Sequence, residues 1–147
     1  MKKLIPPVLF LICLILMSLL RWLWPLMIVF AKPYNLLGIA PVLVGFLSGL
    51  LGALHFRKSK TNIRPFVEPD TLVTEGPFRY SRNPMYLGLS LVLLGAWILL
   101  GAITPLVGVL IFVVTANWWY IPFEERMNQA KFGPAFDAYC QRTRRWI

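Results

Sequence analysis

Between residues 85 and 123 the chain runs for 39 residues without an Asp, Glu, Lys or Arg. A hydrocarbon core about 30 Å thick is crossed by about 20 helical residues rising about 1.5 Å each, so this run is long enough for two crossings. The segment "GAITP", residues 101–105, puts Gly and Pro between two apolar halves and marks the reversal. Two further windows behave alike: residues 4–30 carry one charge, Arg21, and residues 36–56 carry no Asp, Glu, Lys or Arg. With 58% hydrophobic and 14% charged residues, an ordinary soluble domain is excluded. The expected fold is an all-α integral membrane protein with four transmembrane helices, near 6–24, 36–56, 84–100 and 104–123.

This reading gives a single membrane domain over 1–147. Two N-terminal transmembrane helices occupy 1–56, a cytoplasmic loop 57–83, a transmembrane hairpin 84–123, and C-terminal helices 124–147. The opening "MKK" precedes an apolar run with no small-residue cleavage site, so the first helix is expected to be retained. Lys2, Lys3, the six Lys or Arg of segment 57–82, and Arg126, Lys131, Arg142, Arg144 and Arg145 fall on one side of this topology. Arg21 and Lys32 fall near the other. The positive-inside rule then makes both termini and the central loop cytoplasmic. The net charge of +9 is accounted for by basic loops beside anionic lipid headgroups, with no nucleic-acid partner. Cys13 and Cys140 lie in a membrane helix and in the tail, so neither a disulfide nor a metal site is expected.

In the second helix, Gly45, Ser48 and Gly49 form a small-residue face suited to close packing inside the bundle. Segment 57–83 is the longest polar stretch, and Pro65, Pro69 and Pro77 forbid one continuous helix there. After residue 123, "FGP" at 132–134 predicts two short helices with a break, Gly133 ending one and Pro134 starting the next. Phe136, Tyr139, Cys140 and Thr143 make an apolar stripe, the pattern of an interfacial helix.

No P-loop, GxGxxG, GxSxG, CxxC or HExxH motif is present, and the single histidine, His55, stands alone at a helix end. Two constellations remain. In "GPFRYSRNPMYLG", residues 76–88, Arg79 and Arg82 precede Asn83-Pro84, an N-cap followed by proline at the first helical position. A helix starting there aims free N–H groups and a positive dipole end outward, which favours an anion, whether a lipid phosphate or a ligand. Glu124-Glu125 follow the long acid-free run, so a cationic partner is expected, either Arg79 or Arg82 or a bound cation. Adjacent helical residues diverge by about 100°, so these two carboxylates do not form a catalytic dyad. An anion site beside an acid suits a zwitterion such as an amino-acid moiety.

"TLVTEGPFRYSRNPMYLG", followed about 35 residues on by "EERMNQAKFGPAFDAYCQRTRRWI", resembles the isoprenylcysteine carboxyl methyltransferase family in its short bacterial form, and its phospholipid methyltransferase relatives. The resemblance implies an integral membrane methyltransferase, in the bacterial inner membrane, that uses S-adenosylmethionine on a small or lipophilic acceptor such as a prenylcysteine-like carboxylate, a thiol or a lipid amine. It implies that Leu72, Val73 and Phe78 line the cofactor, that Asn83, Pro84 and Tyr86 contact it at the helix start, and that Glu124 binds its polar end, under a cover of C-terminal helices. Arg82 is then suited to the cofactor carboxylate, and Glu125 is the nearest base for an acceptor that must lose a proton. Asn83 stands where many members carry His, and Tyr120 where the eukaryotic enzymes carry an Arg for the substrate carboxylate. The rival readings are a membrane lipid or sterol-type reductase using NADPH and a non-enzymatic membrane binding protein.

Overall fold

The structure, a computed structural model, describes residues 5–59 and 69–147. Among them the regular structure is helical, apart from one isolated bridge between Ile28 and Ala102. Helix α1 (Pro6–Leu23) opens on a proline, and a 3-10 turn (Tyr34–Gly38) runs into α2 (Ile39–Lys58). A second 3-10 turn (Gly76–Arg79) precedes α3 (Pro84–Leu100). Then α4 (Leu106–Thr115), a π turn (Ala116–Tyr120) and α5 (Ile121–Phe132) form one continuous helix, and α6 (Pro134–Arg142) follows.

Three helical stretches are long and apolar enough to cross a membrane, namely Pro6–Leu23, Tyr34–Lys58 and Leu106–Phe132, and α3 is a shorter apolar helix of 17 residues. The helix expected to end near residue 123 runs on to Phe132, so the first of the two short tail helices is its extension. Pro122 lacks an N–H and its ring crowds the carbonyl four residues back. The chain absorbs this by widening into the π turn just before it, so the helix goes on instead of stopping. The break does fall at Gly133, with φ +48°, and Pro134 opens α6. Lys2, Lys3, Lys60, Arg64 and Pro65 lie outside the described residues.

The bundle is built on α2 against α3, antiparallel and in close contact through glycines. A Cβ on Gly45 would sit 2.5 Å from the Gly88 carbonyl oxygen, and one on Gly88 2.5 Å from that of Gly45. Gly38 and Gly95 meet in the same way one stretch further along. Glycine is required wherever two backbones approach this closely. Gly49, on the same helix, differs, since a Cβ there meets nothing within 4 Å. Gly45→Ala is therefore expected to destabilise the bundle by about 1–3 kcal/mol through overpacking, while Gly49→Ala leaves stability unchanged or raises it by up to about 1 kcal/mol. Thermal unfolding of the two variants in detergent checks this.

A second layer packs α1 and α4 onto α3 around Cys13, Met17, Leu93, Phe112, Ala116 and Ile121, each at most 1% exposed. The outward faces carry large apolar side chains such as Leu11, Ile15, Leu43, Phe46, Leu47, Leu110 and Val114, all exposed. So much outward apolar surface suits lipid rather than water. At one end, the carbonyls that α3 leaves free are taken up by distant side chains: Arg21 Nε donates to Leu100 O at 2.7 Å and Asn35 Nδ2 to Leu99 O at 3.1 Å. Gly101, at φ +73°, turns the chain there, and its carbonyl accepts from Val29 and Phe30.

Candidate functional site

At the other end of the bundle, the chain from 69 to 83 is folded onto the end of α2. Gly76 has φ +60°, and a Cβ on it would run into the His55 imidazole, so only glycine allows this turn. The turn drives Phe78 inward, edge-on to Phe56 with ring centroids 5.0 Å apart. Val73, Phe78, Phe136 and Tyr139 form a small buried core, with Leu72, Phe132 and Cys140 packed around it. The Tyr139 hydroxyl closes it by donating to the Phe78 carbonyl at 2.7 Å, and burial holds that phenol well above its ordinary pKa, so the donor stays protonated. Tyr139→Phe leaves a buried carbonyl without its donor and is expected to cost about 1–3 kcal/mol, readable as a lowered unfolding temperature. Burial also raises the Cys140 thiol, which argues against a thiolate nucleophile.

Next along the chain, Arg82 is a junction. Its Nη1 donates to Thr143 O at 2.7 Å and Cys140 O at 3.2 Å, and its Nη2 pairs with Glu125 Oε1 at 2.8 Å. Arg145 closes on the same carboxylate, Nη2 to Oε2 at 2.5 Å. The backbone joins in, with Arg82 N–H donating to Arg144 O at 3.0 Å. Asn83 occupies the N-cap position of α3, yet its side chain makes no cap. Its Nδ2 donates instead to Arg145 O at 3.0 Å, and its own N–H goes to Ser81 Oγ at 3.1 Å. The capping role expected of Asn83 is thus corrected: the docked tail competes for its side chain, at φ −130° and ψ 54°. The tail ends with Trp146 Nε1 donating to Asn117 Oδ1 at 3.1 Å in the π turn.

Glu124 and Glu125 point apart, as their helical spacing requires. Glu124 lines an apolar cleft of about 630 Å³ together with Pro6, Phe10, Leu14, Gly49, Met85 and Tyr86. Its Oε1 accepts the Tyr86 hydroxyl at 2.8 Å, and the Tyr86 ring stacks on buried Tyr120 at 6.1 Å between centroids. Glu124 is the sole Asp, Glu, Lys, Arg or His among the described residues that line this cleft.

The expected site residues therefore fall into three neighbouring groups around Pro84, itself the first residue of α3 and buried. Leu72, Val73 and Phe78 belong to the core under α6; Arg82, Asn83 and Glu125 belong to the lock on the tail; Tyr86 and Glu124 face the cleft. Arg79 is exposed, and Thr143 Oγ1 reaches its carbonyl at 3.5 Å. Sequence reasoning missed the contacts of Arg145 and Trp146, which arise only once the tail folds back across the start of α3, and missed the α1 wall; no sequence signal marks either. Among the described residues no cluster of His, Cys, Asp or Glu suits a metal ion.

Residues 33–135 match a family model described as Phospholipid methyltransferase. A curated protein of Haemophilus influenzae, titled "Uncharacterized protein", is 40% identical over 63 residues, which is 43% of this chain and 100% of that protein. No solved structure matches the chain.

Proposed function

The chain belongs to the phospholipid methyltransferase family, and from that premise we propose that it is an integral membrane S-adenosylmethionine-dependent methyltransferase acting on a lipophilic acceptor, with four membrane crossings and both termini cytoplasmic. The observation that carries the reading is Glu124, a carboxylate held by Tyr86 at the inner end of an otherwise apolar cleft. A half-buried acid in such apolar surroundings calls for a cationic partner.

The cofactor fits the donors present. Glu124 offers a carboxylate to its ammonium, and the Arg82 Nε–H, buried and without a hydrogen-bond partner among the described residues, is a free donor for its carboxylate beside the start of α3. Leu72, Val73 and Phe78, with Asn83 and Pro84, supply the apolar and backbone surface next to that start. When bound, S-adenosylmethionine supplies an electrophilic methyl carbon on a positively charged sulfur. The protein's share is to position the acceptor in line with the sulfur–methyl bond and to keep water out, which the closed α6 cover and the apolar cleft are suited to do. Glu125, engaged by two guanidinium groups, is assigned to holding Arg82 and the tail in place rather than to taking a proton.

The basic residues Arg57, Lys58, Arg126, Lys131, Arg142 and Arg144 support a cytoplasmic assignment for the α6 end. The matched family is one of methyltransferases, and the reductase reading is not favoured. Calorimetric titration of the detergent-purified protein with S-adenosylhomocysteine and, separately, with NADPH tests the proposal. Binding of the first alone supports it. Binding of NADPH alone, or of neither, rejects it.

A further inference from the structure

Four glycines on or beside α2 share a stripe, but they do not share a reason. Gly38 and Gly45 are pinned against the α3 backbone, and a Cβ on Gly52 would lie 2.9 Å from the Met85 side chain. Gly49 is different: the space where its side chain would stand is empty among the described residues and belongs to the cleft. A helical glycine costs roughly 1 kcal/mol relative to alanine, and no neighbour demands it here.

Its level in the bundle says what the gap serves. Ser48 Oγ, one residue before, donates to the Pro84 carbonyl at 2.9 Å, so Gly49 stands beside the first turn of α3, at the height of Met85 and Tyr86. Tyr86 in turn reaches Glu124. Phe46 and Leu50, which flank Gly49 on the same wall, are 63% and 44% exposed on the outward apolar surface. The missing side chain therefore widens the cleft where an acceptor's apolar chain, lying toward the lipid, joins its reactive head near Tyr86 and Glu124.

We infer that Gly49 is a specificity-determining residue: it sets the girth of the acceptor chain admitted next to the reacting centre, and its open volume takes a methyl-branched hydrocarbon as well as a straight one. The occupant is one apolar chain of a single-headed amphiphile, because the cleft is apolar along its length and polar at one end only. This inference rests on the methyltransferase reading for what the head does, but not for what the cleft holds.

The test uses the full chain in detergent micelles with two photoreactive diazirine probes, a straight hexadecanol and a methyl-branched isoprenoid alcohol, and reads labelling of cleft peptides by mass spectrometry. Wild type is expected to take both. Gly49→Ala keeps the straight probe and loses much of the branched one, and Gly49→Leu loses both by about tenfold or more, since the added side chain overfills the neck. Each preparation is also titrated with S-adenosylhomocysteine, whose affinity is expected to be unchanged. Equal labelling of the three proteins, or no branched labelling of wild type, overturns the inference. So does a joint loss of labelling and S-adenosylhomocysteine binding in Gly49→Leu, which would make position 49 a support of the fold. If wild type is labelled as expected but binds no S-adenosylhomocysteine, the methyltransferase reading fails while the role of Gly49 stands.

Discussion

Glu124→Gln is expected to weaken binding of S-adenosylhomocysteine by about 10- to 100-fold, the equivalent of losing a charge-assisted hydrogen bond worth about 1.5–3 kcal/mol. Glutamine keeps the shape of the side chain and still offers an oxygen to the Tyr86 hydroxyl, so the stacked Tyr86–Tyr120 pair is left in place. What it removes is the capacity to carry a negative charge in an apolar wall. Tyr86→Phe acts one step further out. It takes away the 2.8 Å bond that orients the carboxylate and is expected to weaken binding only a few-fold, as one neutral donor contributes about 1 kcal/mol. An affinity in Glu124→Gln equal to that of wild type would remove Glu124 from the proposed cofactor site.

The second large effect belongs to Arg82. Arg82→Met strands two carbonyls, those of Cys140 and Thr143, and leaves the Glu125 carboxylate to Arg145 alone. Arg82 and Glu125 are 14% and 19% exposed, so solvent makes good only part of the loss. Breaking such a pair from one side costs about 3 kcal/mol, which lowers the unfolding temperature by on the order of 10 °C. The same change frees the tail, and trypsin is expected to cut after Arg144 or Arg145 at least several-fold faster than in wild type. Arg82→Lys recovers part of the stability only, because one ammonium cannot serve two carbonyls and a carboxylate in the planar geometry of the guanidinium. A variant that melts with wild type and keeps its tail protected would show that this lock adds nothing to the fold.

The apolar helices are readable wherever uninterrupted apolar length and a flanking proline or glycine coincide. Residues 84–100 form α3 from Pro84 to Leu100, and α1 starts at Pro6 as the apolar run does. The last long helix runs further than expected for a physical reason: the two acids at 124 and 125 look like a helix boundary, whereas one has Tyr86 and the other two arginines to satisfy it, so the helix passes through them. The opposed directions of Glu124 and Glu125 follow from helical geometry alone. Their partners do not, since Arg145 and the Thr143 carbonyl reach Arg82 and Glu125 only after the tail has folded back across the start of α3. The cleft is hidden for a similar reason. Gly45 and Gly49 are alike in a sequence, and only their rotation about α2 decides that one touches the Gly88 carbonyl while the other leaves space. Asn83 shows the converse, a good capping residue whose side chain is taken by a longer-range carbonyl.

Methyl transfer to a lipophilic acceptor in this cleft is tested by incubating membranes containing the protein with methyl-tritiated S-adenosylmethionine and counting label in the organic-soluble fraction. Protein-dependent label is expected in that fraction and is expected to be lost in Glu124→Gln. Label confined to the aqueous fraction, or label that persists unchanged in the variant, would rule out this role for the cleft.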